Sequence, residues 1–270
     1  MTTLNYDLAV TYYDETRGFR AGVSERYRAA VRRITEAEDG TRFLELAIGT
    51  GLIGLPFMAA GDDYIGVDIS RGMMRQIAPK LHDLSPPALA QADITDRLPF
   101  AADSFDVVQA VRVFHLLGDW RRCISESRRV LKPGGHLIIV EIRRPSDTSA
   151  PPPWAVVQDK WGEILRDLGV DSASIRHGNG LTDDMVLNHL CAVGGDTAMI
   201  DLLAFDELPV SCRTMVERRA KRMFSNDWAL PEDLHSQAAR ALCEWLENEC
   251  QRADDFVQQR MVFRAVIARF

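Results

Sequence analysis

Three glycines and an aspartate in the first third of the chain have a spacing that suits a ligand-binding loop. The glycines form the pattern Gly49-x-Gly51-x-x-Gly54 directly after a short apolar stretch. Glycine lets the backbone approach a ligand closely, and the start of the following helix offers free N–H groups. Asp68 ends the next apolar stretch, where its carboxylate can accept hydrogen bonds from both hydroxyls of a ribose.

Two further acidic residues distinguish between the cofactors that such a loop can bind. Glu45 lies four residues before Gly49, where a carboxylate disfavours a pyrophosphate but can pair with the ammonium of a methionine moiety. Asp93 follows the third predicted strand, where its side chain can accept a hydrogen bond from an adenine amino group. These positions favour S-adenosylmethionine over NAD or NADP. An NAD(P)-dependent oxidoreductase would be expected to carry a catalytic Tyr-x-x-x-Lys or similar pair, and we find none in the sequence.

Short apolar stretches alternate with helical patterns over the first half of the chain. Helices are predicted at 24–37, with Ser24 as the N-cap, from about 72, and at 120–131. Strands are predicted at 42–47, 64–68, 89–92, 105–110 and 136–141, and Lys132-Pro133-Gly134-Gly135 is typical of a turn. This alternation predicts an α/β fold, a Rossmann-like, doubly wound, mostly parallel sheet with helices on both faces.

The second half of the chain is predicted to be mainly helical, with helices at about 155–168, 182–192, 211–224 and 231–250. Strands at about 197–206 and 260–269 would complete a seven-stranded sheet. A helical cap is therefore expected before the last two strands. We expect three regions, namely a cofactor-binding core with an N-terminal helical segment at 1–142, a helical cap and substrate region at 143–225 that includes the strand near 197–206, and a C-terminal helix and strand completing the core at 226–270.

Successive motifs in the first half resemble those of class I S-adenosylmethionine-dependent methyltransferases. The resemblance is closest to the ubiquinone/menaquinone-type or "methyltransferase type 11" branch with small-molecule acceptors, and it covers about residues 6–142. Tyr13-Asp14 is similar to a pair that begins many members, whereas Ala47 stands where many members have glycine. The other matching motifs are 43–51 (FLELAIGTG), 66–70 (GVDIS), 92–93 (AD), 103–108 (DSFDVV) and 129–135 (RVLKPGG).

The resemblance implies cofactor contacts for ten residues. Those expected around the methionine end are Tyr13, Glu45, Ala47, Gly49 and Gly51, and those expected at the ribose and adenine are Asp68, Ile69, Met73, Asp93 and Ile94. Asp68 would bind the ribose, and Ile69 and Met73 would pack on the adenine. The Asp93 carboxylate and the Ile94 amide would read the adenine edge. For Tyr13 and Met73, a place in the protein core is the alternative.

A methyl group leaves a sulfonium by in-line displacement, so the protein mainly holds the acceptor in place and excludes water. A base is needed only where the acceptor must lose a proton. His115 is the candidate base, because 113–116 follows the fourth strand and should lie at its carboxyl end. The alternative is that His115 only shapes the pocket. Glu141, near the end of the fifth strand, is a second candidate.

Bulk properties argue against several classes of protein. The 270 residues carry a formal net charge of −7, which argues against a nucleic acid as the main partner. No apolar stretch is long enough to span a membrane, and the N-terminus lacks the pattern of a signal peptide. The five cysteines contain no C-x-x-C pair, so we expect neither a metal site nor a disulfide framework.

Together these features predict a bacterial-type, cytoplasmic enzyme that methylates O, N or C of a small-molecule metabolite, as a monomer or a homodimer. S-adenosylhomocysteine would be the product of the cofactor. A non-methylating enzyme or regulator that binds S-adenosylmethionine on the same scaffold stays an alternative, because its cofactor motifs would look alike. An NAD(P)-dependent oxidoreductase is the third possibility.

Overall fold

The described part of the chain, residues 6–82, 86–145, 151–170 and 178–270, forms a seven-stranded sheet with helices in a computed structural model. The strands are β1 (Arg42–Leu46), β2 (Asp63–Asp68), β3 (Ala88–Gln91), β4 (Phe105–Val111), β5 (Leu131–Arg143), β6 (Asp196–Asp206) and β7 (Arg260–Arg269). Their order is β3-β2-β1-β4-β5-β7-β6. The first five strands pair in parallel, and β7 is antiparallel to β5. The predicted Rossmann-like, mostly parallel sheet is therefore confirmed.

Ten α-helices lie in the described residues. They are α1 (Tyr13–Arg17), α2 (Val23–Ile34), α3 (Leu55–Ala59), α4 (Arg71–Met74), α5 (Ala78–Leu81), α6 (Trp120–Val130), α7 (Pro153–Asp167), α8 (Asp183–Ala192), α9 (Cys212–Ala220) and α10 (Glu232–Asn248). One predicted detail is wrong, because Gly22 and not Ser24 is the N-cap of α2. The Ser24 hydroxyl instead donates to the Leu52 carbonyl, which ties α2 to the glycine loop.

Helices cover both faces of the sheet. Successive residues of a strand point to opposite faces, so each strand contributes side chains to both layers of packing. On β1, Phe43 packs into a buried cluster with Tyr27 and Val31 of α2. The next residue, Leu44, packs into a second cluster with Ile124 of α6. The strands therefore lie between two apolar layers, and the loops that follow them lie at the ends of this packed sheet.

The predicted turn at 132–135 lies inside β5 rather than before it. Leu131 pairs with Phe105 and His136 with Val107, so four residues of β5 bulge opposite one residue of β4. Gly134 takes a φ of 81° in this bulge, a conformation that favours glycine. The strand therefore begins five residues earlier than the predicted start at 136.

The chain divides into two compact units, and their boundaries differ from the predicted ones. Gly178–Phe205, which was predicted as part of the cap, belongs to the sheet unit, because Val186 and Leu190 of α8 join the core of the sheet. Asp206–Arg260 belongs to the helical unit with α7. Thus α10, which was predicted to complete the sheet core, packs its apolar side on α7 and α9. None of the helices in the described ranges has the length and hydrophobicity needed to cross a membrane.

Large aromatic residues of the second half have different surroundings. Trp161 is buried in the core of the helical unit, where its ring faces His235. Phe205 is buried in the sheet unit against Phe19 and Phe263. Trp154, in contrast, is 39% exposed. Of Trp154, Trp161 and Phe205, only Trp154 therefore offers a side chain to a ligand.

Candidate cofactor-binding site

Four of the predicted methionine-end residues line one cleft at the carboxyl ends of β1 and β4. They are Tyr13, Glu45, Ala47 and Gly49. In the sheet, β2 lies on one side of β1 and β4 on the other, so the strand order reverses between β1 and β4. Ligands of such sheets bind at this point of reversal. The other lining residues are Phe19, Ile48, Thr50, Leu52, Ile53, Val111 and Arg112.

The glycine loop after β1 combines unusual backbone angles with a lack of space. Gly49 and Ala47 both have a φ of 56°, which costs a residue with a Cβ atom roughly 1–2 kcal/mol. Ala47 adopts this conformation although it is not glycine. At Gly54 a Cβ atom would lie only 2.8 Å from Oε2 of Glu45. The spacing of the loop thus reflects both backbone conformation and room for the Glu45 carboxyl.

A buried hydrogen-bond network supports Glu45. Tyr64 Oη donates to Glu45 Oε2 at 2.6 Å, and Gln109 Nε2 donates to Tyr64 Oη at 2.5 Å. Tyr27 Oη donates to Gln109 Oε1 at 3.2 Å, so the network joins α2, β1, β2 and β4. Sequence reasoning missed these partners, although Gln109 was visible as a polar residue within an apolar strand.

The Glu45 carboxyl has a strongly perturbed titration. Burial raises the pKa of Glu45 to about 8, the hydrogen bond from Tyr64 acts against the shift, and nearby Asp68 adds to it. No cationic side chain pairs with Glu45 among the residues that the structure describes. A cationic ligand group in the cleft would therefore meet a carboxyl that lacks a counter-charge.

Asp68 connects the end of β2 to the glycine loop. Its Oδ2 accepts from the Gly49 amide and its Oδ1 from the Ser70 amide, each at 2.8 Å. Burial raises the pKa of Asp68, while these two amide hydrogen bonds act against the shift. The carboxylate therefore orders the loop, and its remaining lone pairs are available for further donors.

The N-terminal segment is tied to the same loops by two aspartates. Asp14 Oδ1 accepts from the Thr50 hydroxyl at 2.5 Å, and Asp14 Oδ2 accepts from Lys80. Asp7 accepts from the hydroxyl of Ser70, which is the N-cap of α4. The Asp14 contacts hold α1 against the glycine loop, which explains why Tyr13 lines the cleft.

The residues predicted for the adenine lie around the ends of β2 and β3. Asp68 pairs with Gln91 in the sheet, so Asp93 follows the adjacent strand end. Its Oδ1 accepts from the amide and the hydroxyl of Thr95. Ile69 is 46% exposed, whereas Met73 and Ile94 are buried. Gly51 does not line the cleft and packs instead toward Ile77.

His115 and Glu141, the two candidate bases, are hydrogen-bonded to each other. His115 Nδ1 lies 2.9 Å from Glu141 Oε1, at the ends of the adjacent strands β4 and β5. The histidine side chain is 42% exposed and the glutamate side chain 12%. The contact engages Nδ1 and leaves Nε2 as the nitrogen available to a ligand.

Asn179 holds the turn that carries His115, and sequence reasoning missed it. Its Nδ2 donates to the carbonyls of Phe114 and Leu117, at 2.9 and 2.7 Å. Its backbone N–H donates to the His115 carbonyl at 2.9 Å. Because 64 residues separate Asn179 from His115 in the chain, no local pattern could reveal this clamp.

A polar cleft at the opposite edge of the sheet holds none of the predicted cofactor residues. It is lined in part by Asp106, Lys132, His136 and Arg269. Burial lowers the pKa of His136, and Arg269 contributes to the shift. In the described ranges, no cluster of three or more His, Cys, Asp or Glu side chains could hold a metal ion.

Part of the sheet unit is similar to known proteins. Residues 44–139 match the family model described as "Methyltransferase domain". A curated relative from Streptomyces avermitilis, named demethylmenaquinone methyltransferase, is 34% identical over 161 residues, which is 59% of this chain and 65% of the relative. The chain thus spans less than two thirds of the length of the curated relatives that it matches first.

Solved structures share the fold at low sequence identity. Phosphoethanolamine N-methyltransferase 2 of Haemonchus contortus, solved with S-adenosyl-L-methionine, has a TM-score of 0.53 at 18% identity, covering 96% of this chain and 57% of that one. A (4+2)-cyclase named SpnF has a TM-score of 0.55 at 20% identity, covering 98% of this chain and 93% of that one. At these identities the likeness concerns the fold alone.

Proposed function

We propose that this chain, which carries a methyltransferase domain at residues 44–139, transfers the methyl group of S-adenosylmethionine to O, N or C of a small molecule. The observation that carries the proposal is the buried carboxyl of Glu45 in the cleft, which has no cationic partner among the described residues. The ammonium of the methionine moiety supplies that charge, whereas a pyrophosphate would add a negative one.

The residues present fit this cofactor. Each oxygen of Asp68 accepts one backbone N–H, and a carboxylate has about four lone-pair sites, so two ribose hydroxyls can still be accommodated. Asp93 and the Ile94 amide would serve the adenine edge, and Ile69 offers an exposed apolar surface. When bound, the cofactor supplies a methyl group that is already activated on a sulfonium.

The chain contributes to the transfer in two ways. It holds the acceptor in line with the methyl group, and it accepts a proton where the acceptor must lose one. Holding the reactants in line removes most of the entropic cost of their encounter. Where the acceptor must lose a proton, His115 Nε2 takes it, because Glu141 holds Nδ1 and stabilises the protonated ring. Asn179 keeps the turn in place during this step.

The acceptor is a small molecule, and a quinone-type ring is the first one to test. The curated relatives are named demethylmenaquinone methyltransferases, and one from Syntrophotalea carbinolica is named a ubiquinone/menaquinone biosynthesis C-methyltransferase. We assign acceptor specificity to 143–225 and to the segment around Tyr12 and Tyr13. Trp154 is the exposed tryptophan of that region.

Calorimetric titration with S-adenosylmethionine, S-adenosylhomocysteine, NAD and NADP tests the cofactor. We expect the two sulfur compounds to bind and the two nicotinamide cofactors not to. Micromolar binding of NAD or NADP without binding of S-adenosylhomocysteine would refute the proposal. Incubation with a demethylated naphthoquinol, followed by mass spectrometry of product and S-adenosylhomocysteine, then separates a methyltransferase from a non-methylating binder.

The His115→Ala variant tests the proton step. As a general base, His115 contributes about 10²- to 10⁴-fold to kcat, with little effect on cofactor affinity, and the defect should shrink at high pH. A His115 that only shapes the pocket would give a smaller loss that is independent of pH, with a raised KM for the acceptor. The Glu141→Gln variant, which keeps the shape but removes the charge, should show the same pH trend with a smaller loss.

A further inference from the structure

Two of the five cysteines meet in the helical unit, although 38 positions separate them in the sequence. The thiols of Cys212 and Cys250 are hydrogen-bonded to each other, and both are free. Cys212 begins α9 and is buried, whereas Cys250 follows the end of α10 and is half-buried. Both pack at the apolar cluster that joins α7, α9 and α10. The fold thus brings a concealed thiol into contact with an accessible one.

Neighbouring contacts hold the two cysteines together. The Arg213 N–H donates to the Ala253 carbonyl at 2.9 Å, and the Arg213 guanidinium binds the Glu247 carboxylate at 2.5 Å. Val210 forms an antiparallel bridge with Val257. These contacts fix the backbone on either side of both cysteines, so the thiols stay adjacent without a covalent bond. Thiols this close need little movement to reach the S–S distance of about 2 Å.

The other three cysteines do not form such a pair. The Cys191 thiol contacts the Thr197 hydroxyl, Cys243 is exposed, and Cys123 is buried in the core of the sheet unit. Within the described ranges, Cys212 and Cys250 are therefore the two thiols that meet. When one of two adjacent thiols is accessible, its oxidation is followed by disulfide formation with the other.

We infer that Cys212 and Cys250 form a reversible oxidation site, which hydrogen peroxide converts into a disulfide. The Cys250 sulfur attacks the peroxide, the O–O bond breaks, and a sulfenic acid and one molecule of water result. The Cys212 sulfur then attacks the sulfenic sulfur, so that the S–S bond forms and the S–O bond breaks. The leaving oxygen takes the Cys212 proton and becomes a second molecule of water. The two thiols together lose two electrons, which the peroxide gains.

The surroundings of the two sulfurs set the order of the two steps. Cys250 is the residue that an oxidant reaches, because Cys212 is only 6% exposed. Burial raises the pKa of the Cys212 thiol to about 11, and Cys250 adds to the shift. A protonated thiol is a poor nucleophile toward peroxide, so Cys212 acts as the resolving thiol once Cys250 has been oxidised. The disulfide would link the start of α9 to the segment after α10 and restrict the unfolded chain.

Peptide mapping of the wild-type chain tests the inference. Cleavage after Lys and Arg by trypsin, and after Glu by a second protease, leaves each cysteine in a peptide of its own. Cys212 falls in 208–213 and Cys250 in 250–252, apart from the other three cysteines. After treatment with hydrogen peroxide and alkylation of the remaining thiols, we expect these two peptides to appear as one linked species, which dithiothreitol separates. The oxidised protein should also unfold at a temperature higher by roughly 5–10 °C.

Two variants serve as controls. Cys250→Ser removes the sulfur that reacts first, so the peptide 208–213 should stay unlinked and oxidation should no longer shift the unfolding temperature. Cys243→Ser removes an exposed thiol of α10 whose charged neighbours are glutamates, and it should leave both the link and the shift unchanged. Free Cys212 and Cys250 under conditions that oxidise Cys243 in the wild type would overturn the inference. Cys250 recovered as a sulfinic acid without the link would overturn it too, because Cys212 then fails to reach the oxidised sulfur.

Discussion

Two buried carboxyls, one in each unit of the molecule, are stabilised in opposite ways. Asp227 of the helical unit accepts from Arg219 Nη1 at 2.5 Å, and the guanidinium lies over the rings of Trp161 and Phe224. Burial raises the pKa of Asp227 to about 6, and Arg219 acts against the shift. Glu45 of the sheet unit accepts a hydrogen bond from the neutral Tyr64 hydroxyl and has no cationic partner among the described residues, and burial raises its pKa to about 8.

The difference separates a structural charge from a charge kept for a ligand. Where the protein supplies the counter-charge itself, as Arg219 does, the pair is part of a core. Where the protein surrounds a carboxyl with hydroxyl and amide groups, the acid stays protonated until a cation arrives. Glu45 also lies beside a cleft, whereas Asp227 is fully buried.

The largest expected effect comes from breaking the Asp227 pair. Asp227→Ala leaves the Arg219 charge buried without its carboxylate counter-charge and should lower the free energy of unfolding by about 3–5 kcal/mol. Urea unfolding followed by circular dichroism measures it. The double variant Arg219→Met/Asp227→Leu should recover most of the loss, since apolar residues of similar volume can replace a buried pair. If the free energy of unfolding of Asp227→Ala lay within about 1 kcal/mol of the wild-type value, Asp227 would not have the structural role assigned to it.

The Glu45→Gln substitution should weaken ligand binding while leaving the stability of the fold nearly unchanged. At pH 7 the wild-type carboxyl is mainly protonated, so the amide should change the free energy of unfolding by less than about 1 kcal/mol. The affinity for S-adenosylhomocysteine should fall by about 1.5–3 kcal/mol, because the ammonium loses a charged partner. Calorimetry and urea unfolding on the same preparations check both. Loss of stability without loss of affinity would assign Glu45 to the core.

The pH dependence of stability and binding sharpens the contrast further. An acid with a raised pKa binds its proton more tightly in the folded state, so its contribution to stability falls as pH rises from its ordinary value to its folded value. For Asp227 this window ends near pH 6, and for Glu45 it extends to about pH 8. Between pH 6 and 8, the wild type should therefore lose stability relative to Glu45→Gln.

Cofactor binding should run in the opposite direction over the same range. Pairing with the ammonium requires the ionised carboxyl, so affinity for S-adenosylhomocysteine should increase from pH 6 to 8 and binding should release a proton. Calorimetry in buffers of different ionisation enthalpy counts that proton. The Glu45→Gln variant should release less. Equal proton release from both proteins would exclude Glu45 as the titrating group.

The smallest expected effect concerns the backbone that leads from Glu45 into the cleft. Ala47→Gly relieves the left-handed conformation but adds chain entropy to the unfolded state, so it should raise the free energy of unfolding by about 0.5–1 kcal/mol. The exposed helical residue Ala29 is the control, and Ala29→Gly should lower stability by about 1 kcal/mol. Destabilisation by both substitutions would show that the conformation of Ala47 is not strained.

Most of the sheet and the cofactor loops could be predicted from the sequence because their signals are local. Apolar stretches of strand length, separated by helical periods, predicted seven strands, and glycine spacing predicted the loop after β1. The carboxyl ends of parallel strands meet at one edge. That rule was enough to predict that Glu45 and Gly49 would lie near the cofactor, and that His115 and Glu141 would lie toward the carboxyl ends of the fourth and fifth strands, which the structure shows to be neighbours.

Only the tertiary structure decided which charges are paired and where each helix packs. The network around Glu45 draws on three strands and one helix, and Asn179 reaches the His115 turn from a distant segment. The affiliation of α10 depended on its partners rather than its own amphipathic pattern. Sequence determines side-chain chemistry and local conformation. The pKa of a carboxyl depends on burial and on neighbours from other segments, and these exist only once the chain is folded.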